Sequence, residues 1–397
     1  MQKAVTEEKE MSSKEGQNLG ITVSGDGSLR KRGFSFLYGL TSLIGWFTRK
    51  VIDVEVKSRY CKACDNWKGQ EDTAEYDEWY ITHKETCKSN HEGSAGKMEV
   101  DSVVEKFKRS EELYNVKYVS YIGDGDSKTY KGIVDAQPYG DQIVKKKECV
   151  GQVQKRMGSR LRNLKKKTKG FGGAGKLTGK LIDELSLYYG LAIKRNSDNI
   201  NNMKKEIWAT LYHKLSTDEK PQHNRCPSDA DSWCTWQSAK ATNILASYSH
   251  KKPLNEEVFK AIQPIYEELT NDDLLTSCLG AYTQNSNESF NSTVWNLAPK
   301  NFSSGKMVLD IATDIVVCTF NDGISSVMNI MKVLNLSIGP NCYNFCLEVD
   351  ALQVDQAKRS MSEVAKIARA NIQSVRKSKD EENIAIESQL YGAGIAD

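Results

Sequence analysis

Hydrophobic and polar positions alternate with a period of two at several places in the first third of the chain. Ile21 and Val23 alternate with Thr22 and Ser24 before Gly25 and Gly27 bracket Asp26, and Val51–Ser58 sets Ile52, Val54 and Val56 against Asp53, Glu55 and Lys57. Between them the run from Gly33 to Gly45 is rich in Phe, Leu, Ile and Tyr. Period two is the signature of a strand, so the pattern predicts three strands joined by short turns, an antiparallel meander. The spacing then lengthens to three and four at Met98, Val103, Val104, Phe107 and Leu113, which predicts an amphipathic helix. That helix leads into Tyr121–Gly123, a short apolar strand closed by glycine and followed by Asp124 and Asp126. A helix is expected from Lys128 to about Ala136, then a further strand ahead of Glu148, then a helix through the basic stretch after Cys149.

Beyond residue 170 the pattern is helical and irregular, with stretches such as LIDELSLYYGLAI and LNEEVFKAIQPIYEEL. The expected organisation is a flexible lead over residues 1–20 and the first part of an α/β core over 21–170, with a Cys/His segment at 59–92. A helical insertion follows over 171–280, with a Cys/His loop at 213–234, then a core completion over 281–350 and a charged helical tail over 351–397. With 397 residues the chain can bury a sizeable core. A net charge of +3 is too small to name a partner, so its local distribution has to be read instead. The longest apolar run, Phe34 to Phe47, is shorter than the roughly 20 residues a membrane span needs. Without a recognisable signal peptide the ten cysteines are expected to be reduced and available to metals.

Three constellations carry chemistry. The first is the pair of strands that end in acids, at Asp26 and at Asp124 or Asp126. The order strand, strand, strand, helix, strand, helix is that of the RNase H-like fold, in which the first and fourth strands are neighbours and their carboxylates stand side by side. A third acid from a later helix would complete a site for two divalent ions, and hard oxygen ligands suit Mg²⁺ or Mn²⁺. The second constellation is a pair of Cys/His sets with the composition of tetrahedral zinc sites: Cys61, Cys64, His83 and Cys87, and, with looser spacing, His213, His223, Cys226 and Cys234. Four protein ligands leave no open position, so such zinc is structural. The third is a basic stretch. Between Lys145 and Lys180 there are thirteen Lys or Arg and one acid, Glu148. Lys155, Arg156, Arg160, Arg162, Lys165, Lys166 and Lys167 fall on one predicted helix that could neutralise DNA phosphates, and LKKKTK also reads as a nuclear localisation signal.

The segments VSGDGSLRKRGF, YIGDGDSKTY, ECVGQVQKRMGSRL, HKLSTDEKPQH with SDADSWC, and NSNESFNSTVW together resemble the Mutator-like transposases, particularly the copies of animal genomes. The resemblance runs from about Gly20 to about Asp350. It implies a DDE transposase domain of RNase H-like fold with a helical insertion before the last acid, acting on transposon terminal repeats and target DNA, as a homo-oligomer in the nucleus and without membrane attachment. By position it implies Asp26, Asp124 and Glu288 as the catalytic acids, with Asp126 as the alternative second acid. It also implies a Cys-x-x-His element, of which Cys149 is present while Gln152 stands at the His position. A carboxamide can hydrogen-bond phosphate but cannot shuttle a proton as imidazole does. The alternative function is therefore a catalytically decayed or domesticated DNA-binding protein.

Overall fold

A computed structural model of the chain describes residues 1–30, 37–123, 128–168, 170–171, 173, 176–228, 232–302 and 304–361. Helix α1 spans Gln2–Lys14 and is followed by strands β1 (Ile21–Leu29), β2 (Tyr38–Gly45) and β3 (Val51–Ser58). Two short helices, α2 (Lys62–Asn66) and α3 (Ala74–His83), precede the long α4 (Ala95–Tyr114), and β4 (Tyr118–Gly123), α5 (Lys128–Ala136) and β5 (Lys145–Glu148) complete the sheet. Strand order is β3-β2-β1-β4-β5. The first three strands pair antiparallel, whereas β4 joins β1 in parallel and β5 joins β4 in parallel. The expected meander and the expected adjacency of the first and fourth strands are both present. Asp124 and Asp126 follow β4 in sequence and lie outside the described residues.

Side chains alternate across the sheet. Val23 and its register partner Tyr121 share one core with Val103 and Phe107 of α4. Ser24, Asp26 and Ser28 are thereby turned to the opposite face. A polar network links α4 to β2 and β3. The fully buried Lys106 donates to Thr41 and Ser102 and lies 3.8 Å from Glu55, while Arg109 grips Asp53 in a two-pronged pair. Burial lowers the Lys106 pKa to about 8, against the pull of Glu55 and Asp53.

Residues 2–14, expected as part of a flexible lead, form helix α1 instead. Its buried Ala4 and Val5 join the sheet core, and the buried Glu8 carboxylate accepts hydrogen bonds from the backbone N–H of Phe47 at 2.9 Å and of Thr48 at 2.8 Å. An acid in a charged stretch looks like a solvated face; here it satisfies the amides of the β2–β3 turn.

The chain continues through α6 (Val150–Lys167), α7 (Gly179–Arg195), α8 (Ile200–Tyr212), α9 (Thr235–Ala241), α10 (Glu256–Leu269) and α11 (Asp272–Cys278). Val150, Val153, Met157 and Leu161 form the apolar stripe of α6, and they share a second core with Ile182, Leu185, Tyr189, Ile207, Ile262 and Tyr266 of the helices after it. Helix α12 (Asn285–Leu297) returns to the sheet, and α13 (Lys306–Asp322) runs past residue 314, where the first of two compact units ends. In the second unit, α14 (Ser326–Val333) and α15 (Pro340–Met361) are linked by Asp350, which accepts from the backbone N–H of Ile324 at 2.7 Å and of Ser325 at 3.1 Å. No described helix is long and apolar enough to cross a membrane.

Candidate functional site

Helix α12 is seated on β1 by side-chain amides. Gln284, just ahead of the helix, donates to the carbonyl of Gly25 at 2.7 Å, and Asn287 donates to the carbonyl of Ser24 at 3.0 Å and to Ser42 Oγ at 3.2 Å. Asn291 donates to Asp26 Oδ2 at 2.7 Å, and the Trp295 indole N–H to Ser28 Oγ at 2.8 Å. Four residues of β1, Ser24, Gly25, Asp26 and Ser28, are thus held by this one stretch of chain. The spacing of Gln284, Asn287, Asn291 and Trp295, at intervals of three, four and four, is what places them on a single helical stripe.

Two of the predicted acids belong to the two elements that this seating joins. Asp26 is half-buried on the α12 face of β1, and Glu288 is exposed on the first turn of α12. Glu288 lies three residues before Asn291, and residues so spaced are neighbours on a helix surface, with Cβ atoms about 5–6 Å apart. Glu288 and Asn291 are therefore neighbours on the surface of α12. The position also suits a carboxylate because the helix N-terminus is partially positive. Three buried oxygens at this contact have no hydrogen-bond partner among the described residues: Asn287 Oδ1, Asn291 Oδ1 and Ser24 Oγ. A carboxylate beside unpartnered amide oxygens is a hard-oxygen environment, the kind that Mg²⁺ or Mn²⁺ and their bound water prefer. Cys149 is buried at the N-terminus of α6, and Gln152 is half-buried in its first turn.

Both Cys/His sets converge. In each, one ligand atom per residue lies within 4.8 Å of all the others. For tetrahedral zinc, bond lengths of about 2.3 Å to sulfur and about 2.05 Å to nitrogen require edges of about 3.8 Å between sulfurs and about 3.6 Å between sulfur and nitrogen. In the first set, His83 Nε2 is 3.3 Å from both Cys61 Sγ and Cys64 Sγ, and Cys64 Sγ is 3.5 Å from Cys87 Sγ. In the second, His213 Nδ1 and His223 Nδ1 are 3.2 Å apart, Cys234 Sγ is 3.5 and 3.3 Å from them, and Cys226 Sγ is 3.9 Å from each. Either set could hold zinc. Burial raises the Cys61 pKa, but the backbone N–H groups of Cys64, Lys88 and Ala63 and the His83 ring outweigh it and bring it down to about 6.

The first set is embedded in a segment with little else to hold it. Helices α2 and α3 have no buried residue, and their aromatic side chains Trp67, Tyr76, Trp79 and Tyr80 are half-exposed, stacking on one another and on His83. His91, a spare histidine by spacing, is buried outside the set, 3.6 Å from Asp101. Around the second set, spacing alone missed His250 and Asp218. His250 lies 2.9 Å from the outer nitrogen of His223, and its own Nδ1 is 2.6 Å from Asp218. No short motif joins residues 218, 223 and 250, so only the folded loop displays the relation.

On α6 the seven predicted cations divide. Arg156 pairs with Glu148, Arg160 with Glu268, and Arg162 with Asp183 at 2.5 Å, all within the chain. Lys155, Lys166 and Lys167 are exposed and Lys165 is half-exposed.

The family model described as Mutator-like transposase matches residues 1–234. That span contains Asp26, Asp124, both Cys/His sets and the whole of α6, and ends before Glu288. No curated protein and no solved structure matches the chain.

Proposed function

We propose that the chain, which belongs to the Mutator-like transposases, is their DDE-type catalytic domain, cleaving and joining DNA phosphodiesters with Asp26, Asp124 and Glu288 as its acids. The observation that carries this is the seating of the Glu288 helix on the strand of Asp26 through Asn291. Support for an RNase H-like core comes from the strand order β3-β2-β1-β4-β5, with β1 and β4 parallel neighbours. Bound Mg²⁺ or Mn²⁺ would supply the Lewis acidity and the activated oxygen nucleophile that in-line attack on a phosphodiester requires. The chain's own residues do the rest. Asn291 holds the Asp26 carboxylate, Glu288 on the first turn of α12 is the third acid, and Lys155, Lys165, Lys166 and Lys167 of α6 neutralise DNA phosphates. The partner is transposon and target DNA, the working form a homo-oligomer in the nucleus, and LKKKTK, residues 164–169, the import signal.

The test is metal-dependent nicking or strand transfer on terminal-repeat DNA. Asp26→Asn, Asp124→Asn and Glu288→Gln are each expected to lower the rate by at least about 100-fold while leaving DNA binding intact, a loss on the scale of one essential electrostatic group. Unchanged cleavage by Asp26→Asn would overturn the assignment. Gln152, at the position where the family pattern has His, favours a second reading: a DNA-binding descendant without catalysis. Strand transfer gained by Gln152→His would argue that this one change silenced the domain; no transfer in either form, with DNA binding retained, would favour the descendant.

A further inference from the structure

We infer that Asp218 and His250 form an outer relay that locks His223 in the one tautomer able to ligate metal at the second Cys/His set; the inference rests on that set holding zinc. The geometry is a linear chain of three groups. Asp218 Oδ1 is 2.6 Å from His250 Nδ1 and also accepts the His250 backbone N–H at 2.9 Å. His250 Nε2 is 2.9 Å from His223 Nε2, and His223 Nδ1 faces His213, Cys226 and Cys234.

With both rings neutral, proton accounting leaves one arrangement. A carboxylate only accepts, so the neutral His250 ring carries its proton on Nδ1 and presents a lone pair at Nε2. His223 must donate to that lone pair, so its proton sits on Nε2 and its Nδ1 is bare and aimed at the metal position. A single carboxylate thus decides the state of a ligand two rings away. If Asp218 is removed, His250 is free to carry its proton on Nε2, which either opposes the His223 N–H or drives the His223 proton onto Nδ1, where it blocks the metal.

The rings are also held in place mechanically. His223 is buried, stacks on Trp236 at 4.8 Å and meets the His250 ring edge to edge, 19° from coplanar, and its carbonyl accepts from Gln237 Nε2 at 2.7 Å. The relay therefore acts on ring orientation and protonation, while the packing of Trp236 and Gln237 fixes the backbone of His223. Asp218 and His250 are positioning residues and touch no metal themselves.

The experiment is competition of the purified full chain with a chromophoric zinc chelator at fixed pH, with Co²⁺ absorption as a second readout. Co²⁺ distinguishes a site with two sulfur ligands from one with three, so the two sets can be followed separately in one sample. His250→Ala is expected to weaken metal binding at the two-sulfur site by 10–100-fold, the usual cost of losing an outer-shell partner, and Asp218→Ala by about 10-fold. Because Asp218 acts through His250, the double variant should bind no more weakly than His250→Ala alone. The three-sulfur site should be unaffected throughout. His250→Gln, whose side-chain oxygen can still accept from His223, should recover part of the loss and serves if His250→Ala fails to fold. Wild-type affinity in both single variants, or losses that add in the double variant, would overturn the relay. Only one metal per wild-type chain, with the three-sulfur spectrum, would instead refute zinc at the second set.

Discussion

Asn287 is the side chain on which the seating of α12 can be tested most directly. It is fully buried, and its amide nitrogen faces the carbonyls of Ser24 and Ser42, at 3.0 and 3.4 Å, and Ser42 Oγ. Two carbonyl oxygens cannot donate, so the NH₂ must point at them and Oδ1 away. Asn287→Asp keeps the shape and removes every donor. At neutral pH the cost has two parts. The stranded Ser24 carbonyl costs about 1–3 kcal/mol. Holding a carboxyl where its charge faces oxygens raises its pKa by about 3 units, at about 1.4 kcal/mol each, or about 4 kcal/mol. The expected loss is therefore on the order of 5 kcal/mol at pH 7.5. The sign with pH follows from proton counting. The introduced group binds its proton more tightly in the folded state, so stability falls as pH rises from about 4 to about 7, and at pH 4.5 the variant should lie within about 1–3 kcal/mol of wild type. Urea denaturation followed by tryptophan fluorescence at both pH values, with Asn287→Ala as the uncharged control, measures this. A variant within 0.5 kcal/mol of wild type at pH 7.5, or one that gains stability with rising pH (about the same threshold as ordinary surface substitutions), would refute the seating.

With zinc in the first Cys/His set, chelation should release residues 61–87 while the sheet remains folded, since α2 and α3 bury no side chain; limited proteolysis confined to that segment after chelation checks it. Lys106→Met should show the opposite pH trend to Asn287→Asp. A buried Lys with pKa about 8 binds fewer protons folded than unfolded between about pH 8 and 10.5, so wild type gains stability across that window and the variant does not. Their difference should change by on the order of 3 kcal/mol, measured by denaturation at the two ends of the window. Neutralising Lys155, Lys165, Lys166 and Lys167 together should lower the slope of log affinity for DNA against log salt by about 3–4, whereas neutralising Arg162, already paired with Asp183, should change it by less than 1.

Much of the sheet was legible because its strands obey simple periods: alternation at Ile21–Ser24 and Val51–Ser58, and the glycine that closes β4. Both Cys/His sets were legible as well, because ligand chemistry restricts residue type more than fold does. Helix α1 was not, since its packing depends on Glu8 reaching a turn some 40 residues away, and nothing local marks a buried acid. Asn287 and Asn291 stood in a quoted segment, yet an amide has the same appearance in solvent as against a carbonyl, so their roles needed coordinates. The ion pairs of Arg156, Arg160 and Arg162 were hidden for a related reason. Charge density along one helix says nothing of the acids that other helices bring to it.

Asn287 and Ser24 are 263 positions apart in the chain, so α12 emerges long after the strand it is seated on. At about 5–20 residues per second, roughly 13 to 53 seconds of synthesis separate the emergence of β1 from that of α12. Throughout that interval the meander can pair, but Ser24, Asp26 and Ser42 lack the α12 side chains that meet them in the folded chain. Until then Asn287 and Asn291 are not there to donate to Ser24, Ser42 and Asp26. A chain released or cut before residue 285 would therefore carry the sheet without Asn287, Glu288 or Asn291, and on the function proposed above it would not cleave DNA.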